Sequence, residues 1–382
     1  MDSFRKMTMM FNPNFSDDNF MRQALELAKR GEGYVEPNPM VGCVLVRDSQ
    51  VIGQGFHTRF GQPHAEIEAI RNAETDLVGV TCYVTLEPCS HFGKTPPCVN
   101  AILQTGIRRV VVAMCDPNPQ VNGRGLQILR DAGIEVTENV LEAEARQLNA
   151  PYLTLLEKHR PWILAKWAMT LDGKLAARTG SSRWISGEAS RQVVQQLRSR
   201  MDAVMIGSGT ARQDDPLLTV RIPDPRRIPL RIVLDSHAGI SPASSLVQSG
   251  NEVPTLIVVH SDALSDRLDI LRQSGCEVLV LPNNQPGNHR EQIEALLKHL
   301  AERRLTNLLV EGGSRLFGTL FDMKLIDEVH TFIAPKLIGG EQAFPVIGGL
   351  GLAEMALAGS LAPPKIQIIE QDIYVSGRLV NV

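Results

Sequence analysis

The stretch that decides the fold of the first half is residues 64–98, HAEIEAIRNAETDLVGVTCYVTLEPCSHFGKTPPC. Residues 65–74 have the spacing of an amphipathic helix, and residues 82–86 form a short apolar run typical of a buried strand. Two prolines before Cys98 predict the start of a second helix, near 98–105. Helices alternating with strands predict an α/β sheet with helices packed on its faces.

The same stretch carries a set of metal-binding residue types. His64, Cys89 and Cys98 give zinc three ligands and leave its fourth tetrahedral position open to water. Bound zinc lowers the pKa of that water, and Glu66 is placed to carry a proton from it to a departing amine. The alternative interpretation is a buried histidine with two inert thiols. The other histidines of this region, His57 and His91, are interpreted as ordinary loop residues.

Outside this stretch the alternation of strands and helices continues in both directions. A helix is predicted over 16–31, with Ser16 or Asp17 as its N-cap. Further strands of the first half are predicted at 41–46, 51–56, 109–115 and 134–136. After a helical segment at 141–158 the pattern restarts beyond Pro161, with strands at 162–169, 203–208, 230–235, 255–260, 276–281, 307–313 and 328–335. We therefore expect two domains, 1–158 and 159–382.

Composition limits what such a chain can do. It has 382 residues, 43% hydrophobic and 21% charged, which is ordinary globular usage. A net charge of −3 provides no basic field for nucleic acid. No apolar run reaches about 18 residues, so no membrane span is expected. The start of the chain lacks the features of a secretory signal, and six cysteines are too few for a disulfide framework. A cytoplasmic protein acting on a small molecule is the expectation.

The pattern of His-x-Glu followed by Pro-Cys resembles the zinc nucleotide and nucleobase deaminases. In those deaminases the two cysteine ligands usually form a Cys-x-x-Cys motif, whereas eight residues separate Cys89 from Cys98 here. The longer spacing, in TLEPCSHFGKTPPC at 85–98, resembles the bifunctional deaminase/reductase family of riboflavin biosynthesis. Similar motifs of that family are PNPMVG at 37–42, GFH at 55–57, Gly61, DPNP at 116–119 and GRG at 123–125. The resemblance implies a cytidine-deaminase-like α/β/α sandwich, with the polar loop 90–95 facing a phosphorylated pyrimidine. Asn38 either contacts the ring or ribose of that substrate or is a structural residue of a Pro-Asn-Pro turn.

The second half lacks a Gly-x-Gly-x-x-Gly motif in a Rossmann setting. Its candidate cofactor segment is LVEGGSRLFG at 309–318, a strand ending in glycines before a helix, which either binds phosphate or makes only a tight turn. The segments KWAMTLDG at 166–173, WISG at 184–187, GSGT at 207–210 and DDPLLTVR at 214–221 resemble the reductase half of the same family, which is similar in fold to dihydrofolate reductase.

The resemblance to the reductase half implies two sets of contacts. NADPH contacts would come from Ala168, Trp184, Thr210, Asp214, Ser236, Gly313, Ser314, Arg315, Leu316, Phe317, Gly318 and Thr319. Substrate contacts would come from Ser182, Arg198, Leu218, Arg221 and Glu311. The two arginines suit a substrate phosphate or are solvated surface charges. Trp184 stacks on nicotinamide or simply packs.

Lys166 and Asp172 are the candidate catalytic residues of the second half. They lie six residues apart around a turn, and we expect them to pair. Such a pair would orient or protonate the reacting sugar, or be a structural ion pair.

As the resemblance implies, the first domain hydrolytically deaminates 2,5-diamino-6-(5-phosphoribosylamino)pyrimidin-4-one. The second then reduces the ribosyl side chain of the product to ribityl with NADPH. Two alternatives stay open: a tRNA or nucleoside deaminase with an accessory domain, and a non-catalytic regulator that binds zinc and a nucleotide. A homo-oligomer is compatible with each of them.

Overall fold

The computed structural model describes residues 16–92, 96–282 and 289–380. The chain divides into two compact units between Glu157 and Lys158. The boundary predicted from the sequence lies one residue further along. Each unit has its own sheet and its own hydrophobic core.

Among its described residues the first unit has one sheet, of five strands in the order β2-β1-β3-β4-β5. The strands are β1 (Gly42–Arg47), β2 (Gln50–Phe56), β3 (Thr81–Val84), β4 (Arg109–Val112) and β5 (Glu135–Thr137). The helices are α1 (Asp17–Lys29), α2 (Ala65–Arg71), α3 (Cys98–Leu103), α4 (Arg124–Asp131), α5 (Glu142–Leu148) and α6 (Ala150–Lys158). Strand β1 is antiparallel to β2 and β3, while β3, β4 and β5 run parallel.

Side chains of β1 alternate between the two faces of this sheet. Cys43 and Leu45 join a core made with α2, α3 and α4. Val44 and Val46 join the opposite core, made with α1, α5 and α6. The α/β/α sandwich expected for this half is confirmed.

The helical segment predicted after β5 is present. The segment 141–158 forms two helices, α5 and α6, which meet at Asn149. Pro151 explains the break, because proline lacks the N–H that a continuous helix would use at that position. Proline is tolerated in the first turn of α6, where that N–H has no partner within the helix.

In the second unit the described strands form a nine-stranded sheet, in the order β11-β10-β9-β8-β12-β6-β13-β16-β15, and a two-stranded one, β14-β7. The strands are β6 (Trp162–Thr170), β7 (Lys174–Ala176), β8 (Ala203–Gly207), β9 (Leu230–Leu234), β10 (Thr255–His260), β11 (Glu277–Leu281), β12 (Asn307–Gly312), β13 (Glu328–Ala334), β14 (Phe344–Pro345), β15 (Ser360–Ile369) and β16 (Asp372–Val380). The helices are α7 (Glu188–Arg198), α8 (Ser208–Asp214), α9 (Ser245–Gln248), α10 (Ser265–Gln273), α11 (His289–Glu302) and α12 (Ser314–Asp322). Within the described ranges no helix is both long and apolar enough to cross a bilayer.

The order of the large sheet indicates where a ligand would bind. Strands β8 to β11 follow one another outward, and β12 then returns to lie between β8 and β6. Both neighbours of β12 run parallel to it. In open parallel sheets, ligands bind outside the carboxyl ends of the strands where the order reverses. The carboxyl ends of β8 and β12 are therefore where a cofactor is expected.

Candidate active sites

The three predicted zinc ligands come together in the first unit. His64 immediately precedes α2, Cys89 follows β3, and Cys98 begins α3. Their ligand atoms all lie within 4.8 Å of one another. His64 Nδ1 lies 3.2 Å from Cys98 Sγ and 3.5 Å from Cys89 Sγ. Three segments that are distant in sequence thus converge on one point.

The electrostatics of this cluster suit a cation. A hydrogen bond from Cys98 lowers the pKa of Cys89 to about 4, while the same contact and burial raise the pKa of Cys98. The Cys98 backbone N–H also donates to Cys89 Sγ, at 3.3 Å. Hydrogen bonding to Cys89 raises the pKa of His64. One histidine and two sulfurs, with one thiolate already formed, fit a zinc ion that keeps one position open.

Glu66 lies in the first turn of α2, beside this cluster, and is 3% exposed. Burial, followed by the nearby Cys89 thiolate, raises the pKa of Glu66 to about 7, against an opposing effect of His64. A carboxyl group with such a pKa can both accept and donate a proton near neutral pH. Its position and its proton affinity fit the predicted role of proton carrier.

His57 is a residue that the sequence interpretation missed. It is 3% exposed, and its ring centroid lies 5.3 Å from that of His64. Its Nε2 lies 3.3 Å from Nδ2 of Asn38, and its Nδ1 lies 3.1 Å from the carbonyl oxygen of Pro63. Burial lowers the pKa of His57, which favours the neutral ring. His57 therefore links the predicted substrate residue Asn38 to the segment that carries the first ligand.

Glu87 was also missed, although it lies two residues before Cys89. It is buried, and its carboxylate accepts backbone N–H bonds from Gly123 at 2.8 Å and from Gly125 at 2.9 Å. A Cβ on Gly125 would lie 2.2 Å from the carbonyl oxygen of Pro88, so only glycine fits there. The two hydrogen bonds of Glu87 hold residues 123–125 against the turn that carries Cys89. Residues 93–95 of the predicted polar loop lie outside the described residues.

In the second unit, Glu311 is the centre of a buried charge network. Its carboxylate accepts from both Nε and Nη2 of Arg198, the latter at 2.9 Å, and from Nζ of Lys166 at 3.2 Å. The Glu311 and Arg198 side chains are only 5% and 11% exposed. Burial raises the pKa of Glu311, but the two cations outweigh it and hold the value at about 2. Glu311 is a permanent anion, and Arg198 is not a solvated surface charge.

The predicted pairing of Lys166 with Asp172 is wrong. Lys166 lies within β6 and reaches Glu311 on the neighbouring strand β12. Asp172 lies in the turn beyond β6 and accepts backbone N–H bonds from Ile338 at 3.3 Å and Gly339 at 2.7 Å. A hydrogen bond from Thr170 and these amide contacts lower the pKa of Asp172 to about 2. The side chain therefore orders a neighbouring loop.

Two residues of the predicted cofactor set, Thr210 and Gly313, lie together at the carboxyl ends of β8 and β12. Gly313 has a φ of 94° and directly precedes α12. A Cβ on the preceding Gly312 would lie 3.1 Å from the Thr210 side chain, in the first turn of α8. The positive end of α12 and bare backbone amides suit a phosphate group. Within the predicted segment, Leu316 and Phe317 pack into the hydrophobic core, so a cofactor can meet only their backbone.

The remaining predicted residues of the second unit are placed as follows. Ser182 Oγ donates to Asp214 Oδ1 at 3.1 Å, so a predicted substrate residue meets a predicted cofactor residue. Trp184 is 65% exposed, with the Arg191 guanidinium 4.6 Å from its ring centroid, which excludes simple core packing. Four others are distributed around the sheet: Ala168 in β6, Leu218 and Arg221 beyond α8, and Ser236 after β9.

Each half of the chain matches the model of a known protein family. The family model of the cytidine and deoxycytidylate deaminase zinc-binding region matches residues 15–114. The model of the RibD C-terminal domain matches residues 161–371. The riboflavin biosynthesis protein RibD of Aquifex aeolicus is 41% identical, over 94% of this chain and 97% of its own. That of Actinobacillus pleuropneumoniae is 41% identical, over 98% of this chain and 96% of its own.

Solved structures of similar proteins support the same family. A diaminohydroxyphosphoribosylaminopyrimidine deaminase/5-amino-6-(5-phosphoribosylamino)uracil reductase from Thermotoga maritima has a TM-score of 0.80 and 35% identity, covering 95% of this chain and 98% of its own. Acinetobacter baumannii RibD has a TM-score of 0.82 and 36% identity, covering 95% of this chain and 99% of its own. Matches of this length favour the bifunctional enzyme over both alternative functions. The chain belongs to the RibD family and is a bifunctional enzyme of riboflavin biosynthesis, with a zinc-dependent deaminase and an NADPH-dependent reductase activity.

Proposed function

We propose that residues 1–158 deaminate 2,5-diamino-6-(5-phosphoribosylamino)pyrimidin-4-one and that residues 159–382 reduce the ribosyl side chain of the product to ribityl. One observation carries this division of labour. His64, Cys89 and Cys98 converge next to the buried Glu66 in the first unit, and the described part of the second unit has no comparable cluster. The substrate is the one that the Thermotoga maritima relative is named for.

In the deaminase site, His64, Cys89 and Cys98 would hold the zinc ion. When bound, zinc supplies a water molecule that is a strong nucleophile near neutral pH. Glu66 accepts a proton from this water and passes it to the leaving nitrogen. The water oxygen forms a bond to the ring carbon, the carbon–nitrogen bond breaks, and ammonia leaves. Asn38 binds the ring or ribose, with its carboxamide fixed by His57.

In the reductase site, NADPH would lie along the carboxyl ends of β8 and β12. The backbone of residues 313–319 and Thr210 hold its phosphates, with further contacts from Ala168, Trp184, Asp214 and Ser236. The C1′–O4′ bond of the ribosyl group would break as a C1′=N double bond forms, with the proton of that nitrogen going to O4′. NADPH would supply a hydride to C1′, and a proton taken up by the nitrogen would complete the reduction. Lys166 is the candidate donor of that proton, since Glu311 holds its ammonium group, with 3.2 Å between Nζ and Oε2. Ser182, Arg198, Leu218, Arg221 and Glu311 form the substrate side of the site.

The second unit also offers a surface for self-association. In the described sheet the outer edge of β15 has no neighbouring strand. Ile366 and Ile368 on this strand are 65% and 79% exposed. An exposed apolar edge strand is suited to pairing with another chain. We propose a homo-oligomer formed through β15. We also propose a cytoplasmic location, because two cysteine sulfurs this close need a reducing compartment to stay free for a metal.

One assay tests the proposed function. Purified protein is given the diamino substrate and NADPH, and ammonia release and NADPH oxidation are followed separately, with and without a zinc chelator. Chelation should stop ammonia release and leave reduction of the deaminated intermediate unchanged, because the zinc ligands and the reductase residues belong to different units. Equal loss of both activities after chelation would contradict the division between the two units.

A further inference from the structure

Asn149 lies at the joint between α5 and α6, far from the metal ligands in sequence, and is 1% exposed. The backbone of Asn149 makes a hydrogen bond to each of the two helices. The N–H donates to the carbonyl of Ala145 at 3.0 Å, and its own carbonyl accepts from the N–H of Leu153 at 3.0 Å. The position of its side chain is therefore fixed by the helix pair.

The carboxamide of Asn149 binds both polar backbone groups of Met40. Its Oδ1 accepts from the Met40 N–H at 2.8 Å, and its Nδ2 donates to the Met40 carbonyl at 3.0 Å. These are the two bonds that a neighbouring strand would make to a residue at this position. Since Asn149 is buried, losing its carboxamide would leave both groups of Met40 without these bonds.

Met40 belongs to the loop that carries Asn38. On the far side of that loop, Asn38 Nδ2 lies 3.3 Å from His57 Nε2, and the His57 N–H donates to the carbonyl of Val41 at 2.9 Å. The loop is thus held from two sides, by Asn149 at Met40 and by His57 at Asn38 and Val41. Asn149 fixes the position of this loop relative to α5 and α6.

The region matched by the general zinc-deaminase model ends at residue 114, whereas Asn149 lies 35 residues beyond it. The same helix pair touches a second loop near the metal site, since Tyr152 Oη donates to Asp116 Oδ1 at 2.9 Å. The helix pair after β5 is therefore part of the architecture that supports the deaminase site.

We propose that Asn149 is a positioning residue of the deaminase, which holds the Met40 backbone so that Asn38 meets the substrate. This inference rests on the proposed role of Asn38 as a substrate contact. Asn149 itself touches neither the metal ligands nor Glu66 through the contacts described above, so it acts through the loop.

The test is a double-mutant cycle on the zinc-loaded, full-length enzyme, with kcat and KM measured by ammonia release from the diamino substrate. Asn149→Ala should raise KM by about tenfold with a smaller change in kcat, because a contact made equally in the ground and transition states affects binding. Asn38→Ala should raise KM by a similar factor. In the double variant KM should rise no further, because both changes remove the same contact.

Controls separate positioning from folding. Bound zinc and NADPH-dependent reduction of the deaminated intermediate should be unchanged in Asn149→Ala. Asn72→Ala is the matched control, since Asn72 Nδ2 also donates to a backbone carbonyl of this unit, that of Gln54 at 3.1 Å, away from the loop. Its KM should stay at the unmodified value. If Asn149→Ala does not fold, Asn149→Asp carries the test. It keeps the acceptor for the Met40 N–H but sets a second oxygen against the Met40 carbonyl, so it should also raise KM.

The outcomes are distinguishable. An Asn38→Ala variant with unchanged KM would overturn both the role of Asn38 and the inference built on it. If Asn38→Ala raises KM but neither Asn149 variant does, the inference alone fails. Additive effects in the double variant would likewise show that Asn149 does not act through Asn38.

Discussion

Two buried glutamates, Glu66 in the first unit and Glu311 in the second, face opposite electrostatic surroundings. Burial raises the pKa of each of them. Beside Glu66 the Cys89 thiolate adds to that effect, and the pKa reaches about 7. Beside Glu311 the charges of Arg198 and Lys166 overcome it, and the pKa is about 2. The sign of the neighbouring charge, and not the degree of burial, separates the two carboxyl groups.

This difference assigns them different work. A buried carboxyl group beside the zinc ligands can carry a proton between a water molecule and a leaving amine. A carboxylate that stays ionised at every physiological pH cannot carry one, but it can hold two cations in fixed positions. Glu66 therefore suits hydrolysis, and Glu311 suits the orientation of groups for hydride transfer.

The largest expected effect comes from removing a zinc ligand. Cys98→Ser should lose bound zinc and lower ammonia release by more than about 10²-fold, because the metal supplies the nucleophile. Metal content and ammonia release are measured on the same sample. Cys82→Ser is the matched control, since Cys82 is a buried thiol of the same unit outside the ligand set. Retention of zinc and activity in Cys98→Ser would show that the metal is held elsewhere.

Glu311→Gln should give the next largest effect, on stability. Removing one partner of a buried ion pair costs about 3–5 kcal/mol, because the remaining charges lose their counter-ion. Urea unfolding of the second unit should show this loss. Glu302→Gln changes an exposed glutamate on α11 and should leave the free energy of unfolding unchanged. An equally small loss for both variants would mean that Arg198 and Lys166 find other partners.

The pKa of Glu311 also predicts a pH dependence. The folded-state pKa, about 2, lies below the ordinary value of 4.5, so this carboxylate stabilises the folded state above about pH 4.5. That contribution is lost as the pH falls from about 4.5 towards 2. Urea midpoints at pH 6, 4 and 3 should therefore fall more steeply for the unmodified protein than for Glu311→Gln. Parallel slopes for the two proteins would contradict the ionised state of Glu311.

The smallest expected effect is that of Asp172→Asn. Asparagine keeps one acceptor oxygen, which can still accept from the Gly339 N–H, while the longer contact with Ile338 is lost, so the loop should stay close to its present position. Reduction should stay within about twofold of the unmodified rate, since surface substitutions away from a special feature change little. A loss of 10²-fold or more, the range for removing a general acid, would restore Asp172 to the proton-donor role.

Local pattern predicted the alternation of strands and helices well. Each of the seven strands predicted for the second half occurs. The exposed strand β15 was missed, since Pro363 and Pro364 interrupt it and proline is rare within strands. The zinc ligands were predicted because their residue types and spacing are specific to that chemistry.

Contacts between distant segments could not be predicted in the same way. Lys166 and Glu311 are 145 residues apart, and only the strand order brings them together. Asp172 is the acidic residue closer to Lys166 in sequence, but the fold directs its side chain to the amide groups of Ile338 and Gly339. His57 was missed for the same reason, because its burial against His64 depends on the packing of β2 on α2.

The separation of the two sites is tested most directly by measuring both activities in Glu66→Gln and Glu311→Gln, each with its own substrate. Ammonia release is followed from the diamino substrate, and NADPH oxidation is followed with the deaminated intermediate. We expect each variant to lose only the activity of its own unit. Glu66→Gln should lose ammonia release by about 10²–10⁴-fold and keep reduction. A folded Glu311→Gln should lose reduction and keep ammonia release. Loss of both activities in Glu66→Gln, with zinc bound and the protein folded, would contradict it.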